Sequence, residues 1–456
     1  MEHVDVAIVG GGPAGTNAAI EAASHGADAV VLEKGVPRAD RDGLGPDSTD
    51  AAGMLDYWID IMELDVDELP EGVVLQELDS VDFVGPATTT TMEQTGIDSS
   101  YDRFGFTFQR ARMDDWLRDR AEAEGAEYRV GVSVKSVDSD LDEEYRHTVT
   151  LADGENVAAR NLVLADGPQR TVTIPTLDQF MPEGRSVADQ MASTKANHIA
   201  YQEHREFPEE VFEENKLKFW WGWMPGETAY PWVFPNDGNV ARVGLTMPIG
   251  MRMEDVENPE GYRLLEPDDE SLPRAGEYVR RLLETLYGDE YDVEEDFPLV
   301  EDRGKSGGTE TYPISSTRPI DSPVGAGIAV AGGAMGTTSA FHEGGYHVAS
   351  RTGKIAGRLA AVDSLDRYND VWKDAIGEEL VRNITFADLV ADYGPDDWDR
   401  TFRTANKLID SSATDLFRTR LSGGFSGLKL VTRYKLHKRR LLRGGYVQIS
   451  EDEYRV

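Results

Sequence analysis

The chain has 456 residues, 46 Lys plus Arg against 84 Asp plus Glu, a formal net charge of −38, and no cysteine. Its length accommodates two or three domains and a sizeable core, and the missing thiols exclude disulfides, Cys-ligated zinc, cysteine nucleophiles and Cys-held iron–sulfur clusters. The charge speaks against nucleic acid, whose binders need a basic footprint, and with 40% hydrophobic residues and no apolar run of about 18 residues the chain is not an integral membrane protein.

Residues 4–9, Val-Asp-Val-Ala-Ile-Val, read as a β-strand running straight into Gly10-Gly11-Gly12-Pro13-Ala14-Gly15. An Ala-rich helix over 17–25 and a strand over 29–32, ended by Glu33, complete a βαβ beginning. Residues 36–100 read as irregular, rich in Gly, Pro, Asp and Thr, with one helical stretch near 54–62. A helix is predicted over 107–123, entered through Arg110, followed by strands over 127–137, 146–151 and 162–165. Residues 196–249 look like antiparallel strands, and a helix around 278–287 lies between acidic loops. A buried strand over 327–331 leads into a second glycine-rich turn and a helix over 344–361; the pattern stays helical to about 421. Two glycine-rich strand–turn–helix units so far apart imply one nucleotide domain interrupted by another. The expected fold class is α/β: a Rossmann-like parallel-sheet domain over 1–175 and 300–362, with an excursion near 70–105, an antiparallel-sheet substrate domain over 176–299, and a helical region over 363–456.

Gly10-x-Gly12-x-x-Gly15 stands in the context its chemistry needs, after a strand and opening a helix, with an acid 18 residues beyond the last glycine. The first glycine permits the tight turn, the second lets backbone approach a pyrophosphate, and the third lets helix and strand pack. The helix N-terminus offers free N–H groups to phosphate, and Glu33 is expected to accept from ribose hydroxyls. This fingerprint serves NAD and FAD alike.

The wider pattern resembles the flavoprotein superfamily of geranylgeranyl reductases and aromatic hydroxylases. The glycine string followed by Glu33-Lys34, the start of a helix at Gln109-Arg110-Ala111-Arg112, the segment Ala165-Asp166-Gly167, and Glu343-Gly344-Gly345 all match its form. The resemblance implies FAD, held by Gly10, Gly12, Pro13, Ala14, Gly15, Glu33, Lys34, Arg110, Asp166, Gly167, Gly333, Gly344 and Gly345. One departure stands out: where the family carries Gly-Asp-Ala-Ala, with an aspartate on the ribityl chain, this chain reads Gly332-Gly333-Ala334-Met335.

Tyr230-Pro231-Trp232-Val233-Phe234-Pro235 matches the Tyr/Phe-x-Trp-x-Phe-Pro motif of geranylgeranyl reductases at every defined position. Strand alternation puts Tyr230, Trp232 and Phe234 on one face, as an apolar wall or as an aromatic core between two sheets. The resemblance implies a wall against a polyprenyl chain, with Pro235, Trp221 and Trp223 beside it, and an enzyme acting on CH–CH bonds that saturates isolated alkenes of lipids or lipid-linked isoprenoids. His342 is the candidate proton donor, because histidine titrates in the useful range. Some archaeal members carry a functional cysteine after the second strand; here that stretch reads Pro37-Arg38-Ala39-Asp40-Arg41-Asp42-Gly43. The alternatives are an FAD monooxygenase on an apolar substrate and a non-catalytic electron-transfer flavoprotein.

No second GxGxxG in a strand–helix context marks an NADPH domain, so electrons are expected from an external donor: NADPH docking transiently, ferredoxin or another carrier. The acid excess is spread along the chain, as at 209–214 and 289–296, and 8 Trp, 17 Tyr and 15 Phe oppose disorder. A folded protein this acidic is expected in a salt-saturated, haloarchaeal cytoplasm, where salt screens self-repulsion. The N-terminus lacks signal-peptide character, so a cytoplasmic location is expected. Residues 416–450 invert the charge, with Arg418, Arg420, Lys429, Arg433, Lys435, Lys438, Arg439, Arg440 and Arg443 and no acid. Two readings compete: peripheral docking on the anionic inner face of the membrane, and packing against the protein's own acidic body or a second subunit.

Overall fold

The computed structural model describes residues 1–35, 53–304, 306–409, 424–443 and 445–456, with backbone alone at 408, 409 and 424–430. The stretch 37–43 therefore lies outside the described residues, as do Arg418, Arg420 and the side chain of Lys429.

The chain begins with β1 (Glu2–Val9), α1 (Pro13–Ser24) and β2 (Ala29–Glu33), as expected. Then come β3 (Gly53–Leu55), α2 (Asp56–Met62), β4 (Val74–Leu78), β5 (Ser80–Val84), β6 (Thr89–Met92), β7 (Gly105–Phe108) and α3 (Arg110–Ala123). Next are β8 (Glu127–Val130), β9 (Val134–Ser139), β10 (His147–Leu151), β11 (Asn156–Leu164) and α4 (Thr173–Asp178). The middle of the chain supplies β12 (His198–Glu206), β13 (Lys216–Trp220), β14 (Tyr230–Pro235), β15 (Val240–Pro248), α5 (Ala275–Tyr287), α6 (Val293–Asp296) and β16 (Thr309–Ile314). It closes with β17 (Ile328–Val330), α7 (Tyr346–Ala361), α8 (Tyr368–Val390), α9 (Pro395–Ile409) and α10 (Gly424–Leu442).

The first sheet runs β8-β2-β1-β11-β10-β9, with β17 on the C-terminal half of β11. Its centre is parallel, and β1 and β11 are buried on both faces, which explains their unbroken runs of Val, Ala, Ile and Leu. Pro13 opens α1 at a position where its missing N–H costs nothing. Buried Ala14, Ala18, Ala19 and Ala22 line its inner face. Against them lie Gly353 and Gly357 of α7: a Cβ on either would sit 2.0 Å from the carbonyl oxygens of Ala14 and Ala18 respectively. The two helices that bracket the nucleotide loop are thus locked together by glycines one turn apart.

The second sheet runs β16-β12-β15-β14-β13-β5-β6, antiparallel except for the β13–β5 pair. One face packs on α5 through Val243, Leu245, Tyr278 and Leu282. Two expectations change here. Within the described part of the stretch expected to be irregular, 53–100, β5 and β6 complete this sheet, and β16 pairs with β12, so the sheet runs past the expected boundary at 300. β5 and β16 were hidden for one reason, that each pairs with a strand distant in sequence, β13 and β12 respectively; β6 then pairs with neighbouring β5. A small third sheet, β3-β7-β4, bridges the two.

The basic segment forms α10, which rests on α8: Leu441 joins Val381 and Ile384, Lys438 Nζ lies 2.6 Å from Glu378 Oε1, and His437 Nε2 lies 2.7 Å from Asp388 Oδ2. Arg433, Lys435, Arg439, Arg440 and Arg443 face outward with no acidic partner among the described residues, beside exposed Val431, Leu436 and Leu442. No helix among the described residues is long and apolar enough to cross a membrane.

Candidate active site

Between the two large sheets lies a cavity of about 530 Å³, within the range of small-molecule sites. One end is glycine loops: Gly12, Pro13 and Ala14 after β1, Gly167 and Pro168 after β11, Gly333 after β17, and Gly344-Gly345 before α7. The other end is aromatic and aliphatic.

The glycine end was tested for its fit to a dinucleotide. Gly10 has φ +99°, a conformation open to glycine, and a Cβ there would meet the Ala165 carbonyl oxygen at 2.4 Å. Gly12 caps α1 with no side-chain hydrogen bond, so the helix's first N–H groups face the cavity. Among the described residues, a Cβ on Gly12 would touch nothing within 4 Å, which leaves the room a pyrophosphate needs. Arg110 lies on the wall, its Nε 3.1 Å from Asp114 Oδ2 and its guanidinium over the Tyr346 ring. These residues fit the adenosine–pyrophosphate–flavin axis of FAD.

Three expected contacts read differently. Glu33 lies at the end of β2, but its carboxylate accepts from Gly11 N at 2.5 Å and from Gly35 N, bracing the loop. Lys34 is exposed and off the cavity. Asp166 accepts from Val172 N (2.7 Å) and Thr173 N (3.1 Å); it caps the start of α4 instead of facing the cavity. Arg170, unremarked in the sequence, is buried: its guanidinium donates to Ala334 O at 2.8 Å and Ser315 Oγ at 2.9 Å, and burial pushes its pKa down to about 10. It ties the turn after β17 to the loop after β11.

A Cβ on Gly333 would lie 3.3 Å from Pro168, a contact that a small shift absorbs. We expect Gly333→Asp to restore the family's carboxylate and tighten FAD about 3- to 10-fold, the worth of one hydrogen bond; titration of FAD-free protein checks this, and unchanged or weaker binding refutes it.

At the aromatic end Tyr230, Trp232 and Phe234 all line the cavity, while Pro231, Val233 and Pro235 do not. The ladder to β13 pairs Trp232 and Val233, beyond the Pro231 that cannot donate to it. Trp221 stacks on Tyr230 (4.2 Å between centroids) and on Phe341 (5.2 Å), with Trp398 of α9 behind it. Trp223 and Pro235 fall outside the expected wall. Trp223 packs with Trp220 and Phe207 on the opposite face of the sheet, under the Arg263 guanidinium, because the turn after β13 sends successive tryptophans to opposite faces. The remaining wall comes from Gly53, Leu55 and Trp58, from Phe83 on β5 and from Tyr312 on β16. Their segments read as loop or carried no motif.

His342 lines the cavity beside Trp58. Its Nδ1 accepts from Gly344 N at 3.2 Å, and burial, aided by Arg382, pushes its pKa down to about 3. The imidazole is therefore neutral at physiological pH and has no imidazolium proton to give, contrary to the expected role.

Residues 5–207 match the family described as glucose inhibited division protein A. Among similar proteins, the digeranylgeranylglycerophospholipid reductase of Methanocaldococcus jannaschii is 23% identical over 430 residues, covering 89% of this chain and 91% of that one. Digeranylgeranylglycerophospholipid reductase 2 of Methanopyrus kandleri is 26% identical over 395 residues, covering 82% and 83%. The solved structure of a geranylgeranyl bacteriochlorophyll reductase-like protein from Thermoplasma acidophilum superposes with a TM-score of 0.68 at 17% identity, covering 97% of this chain and 99% of that one. The fold and the glycine cradle define an FAD-dependent oxidoreductase. Within that class, the chain is similar over most of its length to digeranylgeranylglycerophospholipid reductases.

Proposed function

We propose that this enzyme saturates C=C bonds in the polyprenyl chains of membrane lipids, digeranylgeranyl glycerophospholipids foremost. The observation that carries the reading is continuity: one cavity joins the glycine loops fitted to FAD with the wall of Trp221, Tyr230, Trp232 and Phe234. An isolated trisubstituted alkene is unpolarised, so its reduction needs a hydride at one carbon and a proton at the other. Reduced FAD supplies the hydride when bound. The aromatic faces stabilise cationic character at the tertiary carbon, each by about 0.5–2 kcal/mol when desolvated, and their bulk excludes water. The names of the relatives support the substrate class. The electron donor is external, a nicotinamide or a ferredoxin-type carrier.

A prenyl chain in a bilayer gains little by entering an equally apolar tunnel, since burial yields about 0.8 kcal/mol per CH₂ only against water. The enzyme must therefore meet the membrane. The outward cations and exposed apolar side chains of α10 suit an anionic surface, and an aromatic series leads from it to the cavity: Tyr434 lies 5.0 Å from Phe386, which lies 5.5 Å from the cavity-lining Phe341. The test is to incubate chemically reduced enzyme with vesicles carrying the unsaturated diether lipid, anionic in one set and neutral in another. Mass spectrometry is expected to show one hydrogen pair gained per double bond, faster on anionic vesicles; unchanged lipid with fully reduced flavin refutes the reading.

A further inference from the structure

Hydride delivery leaves the second alkene carbon in need of a proton, and neutral His342 has none to discharge. Glu343 is the one carboxyl lining the cavity among the described residues. Its side chain is 2% exposed, and no Lys or Arg pairs with it among those residues. Instead it is ringed by hydroxyls: Thr228 Oγ1 donates to Oε1 at 2.8 Å, Thr246 Oγ1 donates to Oε2, and Ser316 Oγ stands 3.5 Å from Oε1. The backbone is bent to make this arrangement. Glu343 has φ +56° and Thr228 φ +51°, left-handed conformations that cost side-chain-bearing residues energy. Two strained residues thus meet at one hydrogen bond beside the cavity.

A second group stands behind the carboxyl. Ser316 Oγ lies 3.1 Å from His198 Nδ1, so one hydroxyl bridges the imidazole and Glu343. His198 Nε2 donates to the backbone oxygen of Glu227 at 3.1 Å and itself lies 3.5 Å from Glu343 Oε1; Glu227 is exposed. The imidazole thus stands between the acid and the backbone of exposed Glu227. The other titratable groups facing this cluster are Tyr230, whose hydroxyl donates to His342 O at 2.5 Å, and His342 itself.

We propose that Glu343 is the proton donor of the reduction and that His198 and Ser316 are positioned to return to it a proton taken from solvent. The inference rests on the alkene-reductase reading. In the step, the carboxyl O–H bond breaks and a C–H bond forms at one alkene carbon, the π pair becoming the new bond. The other carbon takes the hydride of reduced FAD, whose electrons come from the external carrier. The resulting carboxylate is held by the hydroxyls of Thr228, Thr246 and Ser316 until it is reprotonated. Burial, the dominant influence, pushes the Glu343 pKa up, with His198 and the hydroxyls opposing it; this keeps the acid form populated at higher pH than an ordinary glutamate.

The test uses the flavin-loaded protein and two readouts. Infrared spectra at neutral pH are expected to show the carbonyl band of a protonated carboxyl that disappears in Glu343→Gln. The same variant is expected to keep its FAD and its thermal midpoint while losing at least about 100-fold in turnover, the usual worth of a general acid. Thr246→Val removes a donor to the anion and raises the acid's pKa, so the basic limb of the pH–rate profile moves to higher pH. A missing band, a band unaffected by Glu343→Gln, near-normal turnover in that variant, or an unmoved limb in Thr246→Val overturns the proposal, the last even where Glu343→Gln fails to fold. If wild-type enzyme leaves prenyl lipid unreduced while the band behaves as expected, the substrate reading falls and the protonated carboxyl stands.

Discussion

Gly12→Val is expected to yield a folded, colourless protein. A Cβ at this position meets no atom of the described residues within 4 Å, and the backbone there, φ −75° and ψ −173°, is extended and suits a β-branched residue. The side chain would instead enter the space against the first turn of α1, where a pyrophosphate must sit to reach the helix's free N–H groups. FAD affinity should fall at least about 100-fold, or about 2.7 kcal/mol. The thermal midpoint of the FAD-free protein should move by no more than about 2 °C, equivalent to under about 1 kcal/mol. Absorbance of the purified protein and a thermal melt decide it. Retained flavin would show that the pyrophosphate lies elsewhere, and an unfolded variant would show that Gly12 serves packing. Gly15 is the internal contrast: a Cβ there would stand 1.8 Å from the Gly10 carbonyl oxygen, so its replacement damages fold and cofactor together.

The second large effect belongs to the opposite end of the cavity. Gly53 lies on β3, and a Cβ there would make ordinary 3.9 Å contacts with Leu217 and Phe234. In Gly53→Phe the ring fills the space between those two side chains, both of which line the cavity. We expect turnover of a geranylgeranyl chain to fall by about 100-fold or more, since displacing a substrate by about 1 Å costs that much, while FAD content stays unchanged. A shorter prenyl chain should suffer less, because it need not reach the plugged end. Equal loss on both lengths would locate the chain elsewhere, and undiminished turnover on the long chain would remove this arm from the substrate path.

The two substitutions divide the site by how legible it was. The pyrophosphate end is local chemistry: Gly10, Gly12 and Gly15 act within six residues, and the flanking strand and helix follow from short runs of Val and Ala. Alternation likewise put Tyr230, Trp232 and Phe234 on one face before any fold was known, because a strand's side-chain period is a property of the strand. Trp223 and Pro235, placed beside that wall by resemblance alone, lie off it. Pro235 takes the face of β14 opposite Phe234, as alternation requires, and Trp223 lies past the end of β13, where the chain turns and the period no longer says which face a residue takes. Asp166 was misjudged for a related reason: a carboxylate after a strand serves a ligand or the next helix equally well, and only α4's position shows that it caps Val172 and Thr173.

The amino-acid sequence by itself determined the nucleotide loop, the aromatic face of β14 and the anomaly of a basic helix on an acidic protein, for each is written in neighbouring residues. Tertiary structure alone decided that β5 and β6 complete the substrate sheet, that Gly53, Trp58 and Phe83 join the cavity, that His342 is held neutral and that Glu343 is ringed by hydroxyls. These depend on strands and loops brought together from distant parts of the chain, and on burial, which shifts a proton's free energy through surroundings that a residue's sequence neighbours do not provide.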